Sequence, residues 1–246
     1  MAELLIEEAI PGTPLDIEGS FNVRDFGGYA AEDGRVIKPR RFVRTGSLFG
    51  VSEQGKQALL DMGVRRIIDL RSKQEVQDKP DAMMDDARFV WANVPMLDYI
   101  HSRIAAQQLD GLPTSLEEMY IGLLERGKDD FRRIFELFAG PEQEGIVFHC
   151  TAGKDRTGIT AMLLLSLAGL DRQTIIQDYA RSEQELRPLL MKYPLNIPEH
   201  FTQSRPETMQ ATLDYLQNRY GGARAYLSDI GVTPEQQNAI LAKLFD

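Results

Sequence analysis

The stretch Gly145-Ile146-Val147-Phe148-His149-Cys150-Thr151-Ala152-Gly153-Lys154-Asp155-Arg156-Thr157-Gly158, continued by Ile159 to Leu170, decides the fold. Gly145 to His149 is a short apolar run of strand length, and the residues after Cys150 are polar or small. Ile159 to Leu170, broken only by Thr160, Ser166 and Gly169, predicts a helix apolar on nearly every side, which belongs inside a domain. It falls short of the roughly 20 residues that span a bilayer. Strand, polar loop and buried helix in direct succession are the unit of an α/β sheet, whose ligands bind where strand ends meet helix starts.

The flanking sequence repeats that rhythm. Phe42-Val43 reads as a strand, Ser52 caps a helix running to Met62 and Gly63, and strands follow over Val64 to Leu70 and Arg88 to Pro95. Upstream, Asp33-Gly34 marks a tight turn between Tyr29-Ala30-Ala31 and Val36-Ile37. Thr114 with Glu117 reads as a capping box opening a helix with Leu116, Met119, Tyr120, Leu123 and Leu124 on one face, closed at Gly127. A second helix is expected over Asp129 to Ala139. Asp171 caps a helix bearing Ile175, Ile176 and Tyr179. A stripe of Met209, Leu213, Leu216 and Tyr220 ends at Gly221-Gly222, and Thr233 caps the last helix. The expected fold is α/β: a central, mostly parallel sheet flanked by helices, with helical insertions and C-terminal helices. One domain covers 1–246, with a candidate helical lid at 97–128 and a proline-rich surface loop at 188–206.

Charge narrows the partners. With 28 basic against 37 acidic residues the chain carries a formal −9, which opposes general attraction to nucleic acid or anionic lipid. An anionic substrate is therefore captured by a local site. The single cysteine, Cys150, forms no intrachain disulfide, and no Cys/His cluster has metal-ligand spacing, so neither a metal nor another cofactor is expected. Glu3, Glu7 and Glu8 stand where an export signal carries Lys or Arg, and a lone thiol suits the reducing cytoplasm. No segment predicts integral membrane association. Oligomeric state leaves no mark on the sequence.

The loop itself predicts the chemistry. Backbone N–H groups of Thr151, Ala152, Gly153, Lys154, Asp155 and Arg156, entering a helix N-terminus, cradle a tetrahedral anion. The same field stabilises a thiolate at Cys150, whose usual pKa near ~8.5 falls beside helix N-termini and cations. Cys150 and Arg156 are spaced for the loop to curl round one phosphoryl group, with the nucleophile below and a planar guanidinium fork at its side. The Thr157 hydroxyl is placed to hydrogen-bond the departing thiolate, and His149 to orient the loop and lower the thiol pKa. Lys154 can pair with a second phosphate. A nucleotide-binding loop is excluded, since it requires Gly at Phe148 and Ser or Thr at Asp155. Arg24-Asp25 and Arg71 read as structural charges holding the N-terminal segment and the Asp69 strand end against the cradle. Arg71 and Glu75 are spaced as an i,i+4 pair. Lys38, Arg40, Arg41 and Arg44 form the densest basic stretch, a solvated edge or a docking strip.

These residues carry a resemblance. His149-Cys150, the five-residue spacing to Arg156, and Thr157 resemble the signature of the protein tyrosine phosphatase superfamily. Lys154-Asp155 is similar to its bacterial tyrosine and phosphoinositide phosphatase group. Asn22-Val23-Arg24-Asp25-Phe26-Gly27-Gly28-Tyr29, Arg44-Thr45-Gly46, Asp69-Leu70-Arg71-Ser72 with Glu75, and Asp178-Tyr179 resemble further blocks of that group, over residues 22 to 180. The resemblance implies metal-free, two-step hydrolysis of a phosphate monoester through a phosphocysteine, on phosphotyrosine protein with dual-specificity or phosphoinositide activity. It offers two general acids: Asp155 within the loop, or Asp98 on a separate segment. Two other classes retain a cysteine cradle: a catalytically silent phosphate-binding module, and a rhodanese- or arsenate-type transferase. Pocket depth, set by 97–113 and 188–206, separates phosphotyrosine from inositide substrates.

Overall fold

The computed structural model describes residues 11–12, 14–96, 113–141, 143–192 and 201–246. Five strands form one sheet: β1 (Arg24–Asp25), β2 (Phe42–Thr45), β3 (Val64–Asp69), β4 (Val90–Asn93) and β5 (Gly145–His149), in the order β1-β2-β5-β3-β4. Among the described strands only the β1–β2 pair is antiparallel. Thr45 and Asp69 both lie in register with His149, so three parallel strands end at one level around the loop that follows β5.

The period-2 alternation of β2 and β5 divides the core. Phe42, Ile146 and Phe148 face one side, and Val43 and Val147 face the other. The second face is covered by α1 (Glu53–Asp61), capped by Ser52, through Leu59, and by Met83 and Phe89. The short α2 (Lys73–Asp78) follows β3 and opens with a Ser72/Glu75 capping box.

The first face carries the helical layer. The helices α3 (Leu116–Arg126) and α4 (Lys128–Phe138) bury Tyr120, Leu123 and Leu124, and Phe131, Ile134, Phe135 and Phe138. The i, i+3, i+4, i+7 spacing in α4 puts its apolar residues on one stripe. Phe138 meets Phe42 and Phe148 with ring centroids 5.1 and 5.3 Å apart. Then α5 (Asp155–Leu167) is buried almost all round, as its composition predicts. The layer also contains α6 (Arg172–Lys192), α7 (Pro206–Tyr220), α8 (Ala223–Asp229) and α9 (Pro234–Phe245). Among the described residues, no helix is long and apolar enough to cross a membrane.

Three expectations shift. The cap of α3 is Ser115, which accepts from the Glu118 N–H, one residue beyond the expected Thr114; Thr114 instead donates to the Glu118 carboxylate. Pro188 does not open a loop: α6 runs through it to Lys192, and Pro206 begins α7 at the position where a missing N–H costs nothing. Of the candidate loop, 193–200 lies outside the described residues. So does 97–112 of the candidate lid, while 116–126 is α3, which packs on the core with Tyr120 fully buried. The Asp33-Gly34 turn is present, closed by an Ala30–Val36 bridge.

Candidate active site

The loop after β5 is held open from behind. Four successive carbonyls are tied to the surrounding scaffold. Cys150 O lies 3.2 Å from His149 Nδ1, and Thr151 O accepts the Ser47 N–H at 3.0 Å. Ala152 O accepts Asn22 Nδ2 at 2.9 Å, and Gly153 O accepts Asn22 Nδ2 at 3.1 Å and Arg44 Nη2 at 2.8 Å. A trans peptide directs its N–H opposite its C=O, so the N–H groups of Thr151, Ala152, Gly153 and Lys154 turn to the other face of the loop. Gly153 is required here: its φ is +67°, and a Cβ would lie 2.4 Å from Thr45 O. Beyond it α5 starts without a side-chain cap, adding its first N–H groups and dipole to the same concavity.

Behind the anchors lies a buried charge cluster. Asp178 of α6 accepts Arg44 Nη1 at 2.5 Å and Arg24 Nε at 3.3 Å, and Tyr29 donates to it at 3.2 Å. Burial raises the Asp178 carboxyl, but Arg44 and Arg24 outweigh it and the net direction is down. Burial and the neighbouring Arg44 bring Arg24 down to about 10. Arg24 also donates to Asn22 Oδ1, fixing the amide that holds the loop. The motif around Asn22 and Arg24 is therefore a support for the cradle. Asn22→Ala is expected to cost about 1–3 kcal/mol by leaving the Ala152 and Gly153 carbonyls with fewer donors, and to lower turnover with it. Urea unfolding and phosphatase rate on one preparation check this; unchanged stability and rate would contradict the support role.

Cys150 sits at the base of the loop, 2% exposed. Burial pushes its thiol up, but the Arg156 charge and the Thr157 hydroxyl and N–H outweigh that, and the net direction is down from 9.0. Among the described residues Thr157 Oγ1 has no conventional hydrogen-bond partner, and it acts on the Cys150 sulfur beside it. Arg156 is gripped at one end by Glu75: Nη1 to Oε2 at 2.6 Å and Nη2 to Oε1 at 2.9 Å. Burial alone would lower the Arg156 pKa, yet Glu75 and Cys150 raise it above the usual value. Glu75 is raised by burial and lowered further by Arg156 and Thr151, so it stays ionised. This grip takes the Nη1/Nη2 end of the fork and leaves the Nε side out of the pair.

His149 is fully buried. Its Nε2 lies 2.9 Å from Asp81 Oδ2 and 3.8 Å from Asp69 Oδ1. Burial lowers its pKa, but the two carboxylates win and the direction is up, favouring an imidazolium beneath the cysteine carbonyl. Asp69, Asp81 and His149 have ligand atoms within 4.8 Å of one another, the spacing of a metal site. Arg71 already supplies the positive charge there, donating from Nε and Nη2 to both oxygens of Asp69. This corrects the expected Arg71–Glu75 pair: Arg71 turns back to Asp69, and Glu75 turns to Arg156.

A family model described as "Tyrosine phosphatase family" matches residues 15–246. The chain belongs to the tyrosine phosphatase family. A tyrosine-protein phosphatase of Nostoc commune is 32% identical over 223 residues, covering 85% of this chain and 76% of that protein. The triple specificity protein phosphatase PtpB of Mycobacterium tuberculosis is 26% identical over 239 residues, covering 85% and 84%. A crystal structure of TpbA from P. aeruginosa overlaps at a TM-score of 0.35 and 13% identity, covering 71% of this chain and 88% of that one.

For a phosphatase, the remaining loop residues are placed as follows. Lys154 is 3% exposed and donates to Phe201 O and Gln203 O, each at 2.9 Å, and to Asp155 Oδ1 at 2.9 Å. Its ammonium thus clasps the segment before α7. Asp155, the first residue of α5, accepts the Tyr120 hydroxyl at 2.6 Å on the same oxygen. Asp98 lies outside the described residues. The basic stretch divides: Arg44 goes inside, while Lys38, Arg40 and Arg41 line a shallow cavity of about 310 Å³ at the amino ends of the parallel strands, the end opposite the cradle. Glu75, Asp81 and Tyr120 are site residues whose partners the sequence reading did not supply. Only Glu75 had a local signal, the Ser72-x-x-Glu75 capping box that fixes its carboxylate.

Proposed function

We propose that this chain hydrolyses phosphate monoesters, phosphotyrosine on protein foremost, through a phosphocysteine at Cys150. The observation that carries this reading is the set of four tied carbonyls, which turns the amides of residues 151–154 toward one anion above an acidified thiol. In the first step the Cys150 thiolate forms an S–P bond, and the P–O bond to the leaving group breaks. The electron pair stays on the leaving oxygen, which takes a proton from Asp155. In the second step water attacks phosphorus, gives its proton to Asp155, and the S–P electron pair returns to Cys150, where Thr157 meets the thiolate. Charge developing on the equatorial oxygens is met by the amides and the Arg156 fork. Asp155 is preferred over Asp98 as the acid because it starts the helix that carries Arg156 and needs no closing segment.

Substrate breadth follows from Lys154. With its ammonium on Phe201 O, Gln203 O and Asp155, it meets a second phosphate only when the 201–203 segment releases it. We therefore place phosphotyrosine before phosphoinositide, in a reducing cytoplasm that keeps the lone thiol reduced. The test is a panel of phosphotyrosine and phosphoserine peptides and a phosphoinositide in EDTA, for wild type and Lys154→Ala. The expected result is phosphotyrosine turnover undiminished by EDTA. No turnover on any substrate would leave a silent phosphate-binding module, and sulfur transfer from thiosulfate would put the chain with the rhodaneses.

A further inference from the structure

Asp155 Oδ1 carries two donors, the Tyr120 hydroxyl at 2.6 Å and the Lys154 ammonium at 2.9 Å. A carboxylic acid donates from one oxygen and accepts on the other, whose two lone pairs match these two donors. Both contacts therefore survive whether Asp155 is protonated or ionised, and the proton that moves belongs to Oδ2. Tyr120 is itself fixed: it is fully buried in α3, stacked edge-on against Tyr179 of α6 with centroids 5.9 Å apart, and the two hydroxyls are 2.8 Å apart. The single Tyr120 proton is given to Asp155, so Tyr179 donates to the Tyr120 oxygen. Burial and the nearby Asp155 raise both phenols, which keeps them donors.

We propose that Tyr120, backed by Tyr179, is a positioning residue for proton transfer: it locks Asp155 Oδ1 so that Oδ2 presents its proton to the leaving oxygen. This rests on Asp155 being the general acid. The two helices that hold the phenols belong to the core, so the acid is aimed by the hydrophobic layer and not by a mobile segment. Tyr120, which at the level of sequence is one more residue on an apolar helix face, has its hydroxyl at the site.

The experiment compares kcat/KM, which reports steps up to P–O cleavage, for phenyl phosphate and 2,4-dinitrophenyl phosphate. The first leaving group needs a proton and the second does not. The measurement is made on wild type, Tyr120→Phe, Tyr179→Phe and Asp155→Asn. The expected result for Tyr120→Phe is a loss of about tenfold on phenyl phosphate, a fraction of the usual general-acid contribution, with the dinitrophenyl ester within twofold. Tyr179→Phe is expected to show a smaller loss of the same selectivity, and it carries the test should Tyr120→Phe not fold. Equal losses on both esters, or no loss, in the tyrosine variants would overturn the proposal while a selective loss in Asp155→Asn leaves the acid in place. An Asp155→Asn variant without selective loss would overturn the acid assignment itself, and the proposal with it.

Discussion

Cys150→Ser is expected to abolish hydrolysis of an aryl phosphate, by about 10⁵-fold or more, with little change in stability. Serine is nearly isosteric, and the cradle is held by groups that do not touch the sulfur: Asn22, Arg44, Ser47 and His149 each grip a carbonyl. What is lost is the ionised nucleophile. The field of Arg156 and Thr157 lowers the pKa of a thiol but leaves an alcohol protonated. Initial rates with the variant, together with phosphate affinity by calorimetry, check both halves: turnover vanishes and anion binding remains. A serine variant with more than a few per cent of wild-type rate would mean that another group attacks phosphorus.

Arg156→Lys is the second large effect, expected to lower kcat by about 10³-fold, within the range for losing a transition-state donor set. Lysine keeps the charge, so the thiol acidity changes little. It loses the plane: one end of the guanidinium grips Glu75 through two parallel bonds and leaves the other free to meet a phosphoryl group, and an ammonium cannot do both. The loss therefore appears in kcat more than in the alkylation rate of Cys150. Stopped-flow turnover and iodoacetamide kinetics on the same variant separate the two. Little loss in either would show that Arg156 acts only as a point charge, and parallel losses would show that it acts through the ionisation of the thiol.

Local rules made the strand–loop–helix unit legible, because an apolar strand, a Gly-containing loop and an all-round apolar helix are properties of neighbouring residues. The caps at Ser52 and Thr233 were readable for the same reason. The α3 cap was misplaced by one residue because Thr114 and Ser115 are both competent, and Glu118 decides between them. Pro188 misled because proline usually ends helices, whereas here α6 continues past it to Lys192. Charge partners were the least legible. Arg71 and Glu75 are adjacent on paper, but each meets a partner set by the sheet: Asp69 on the same strand end, and Arg156 across the loop. Asp81 beneath His149, and Asp178 beneath Arg24 and Arg44, are brought in by chain far away in sequence, which no spacing rule anticipates.

Inward amides and a guanidinium acidify a buried sulfur. Alkylation of Cys150 by iodoacetamide, followed as a function of pH with and without inorganic phosphate, tests it most directly. The expected titration has its midpoint below the ordinary thiol value of about 8.5, with phosphate protecting the sulfur. A midpoint at or above that value, with no protection, would contradict it.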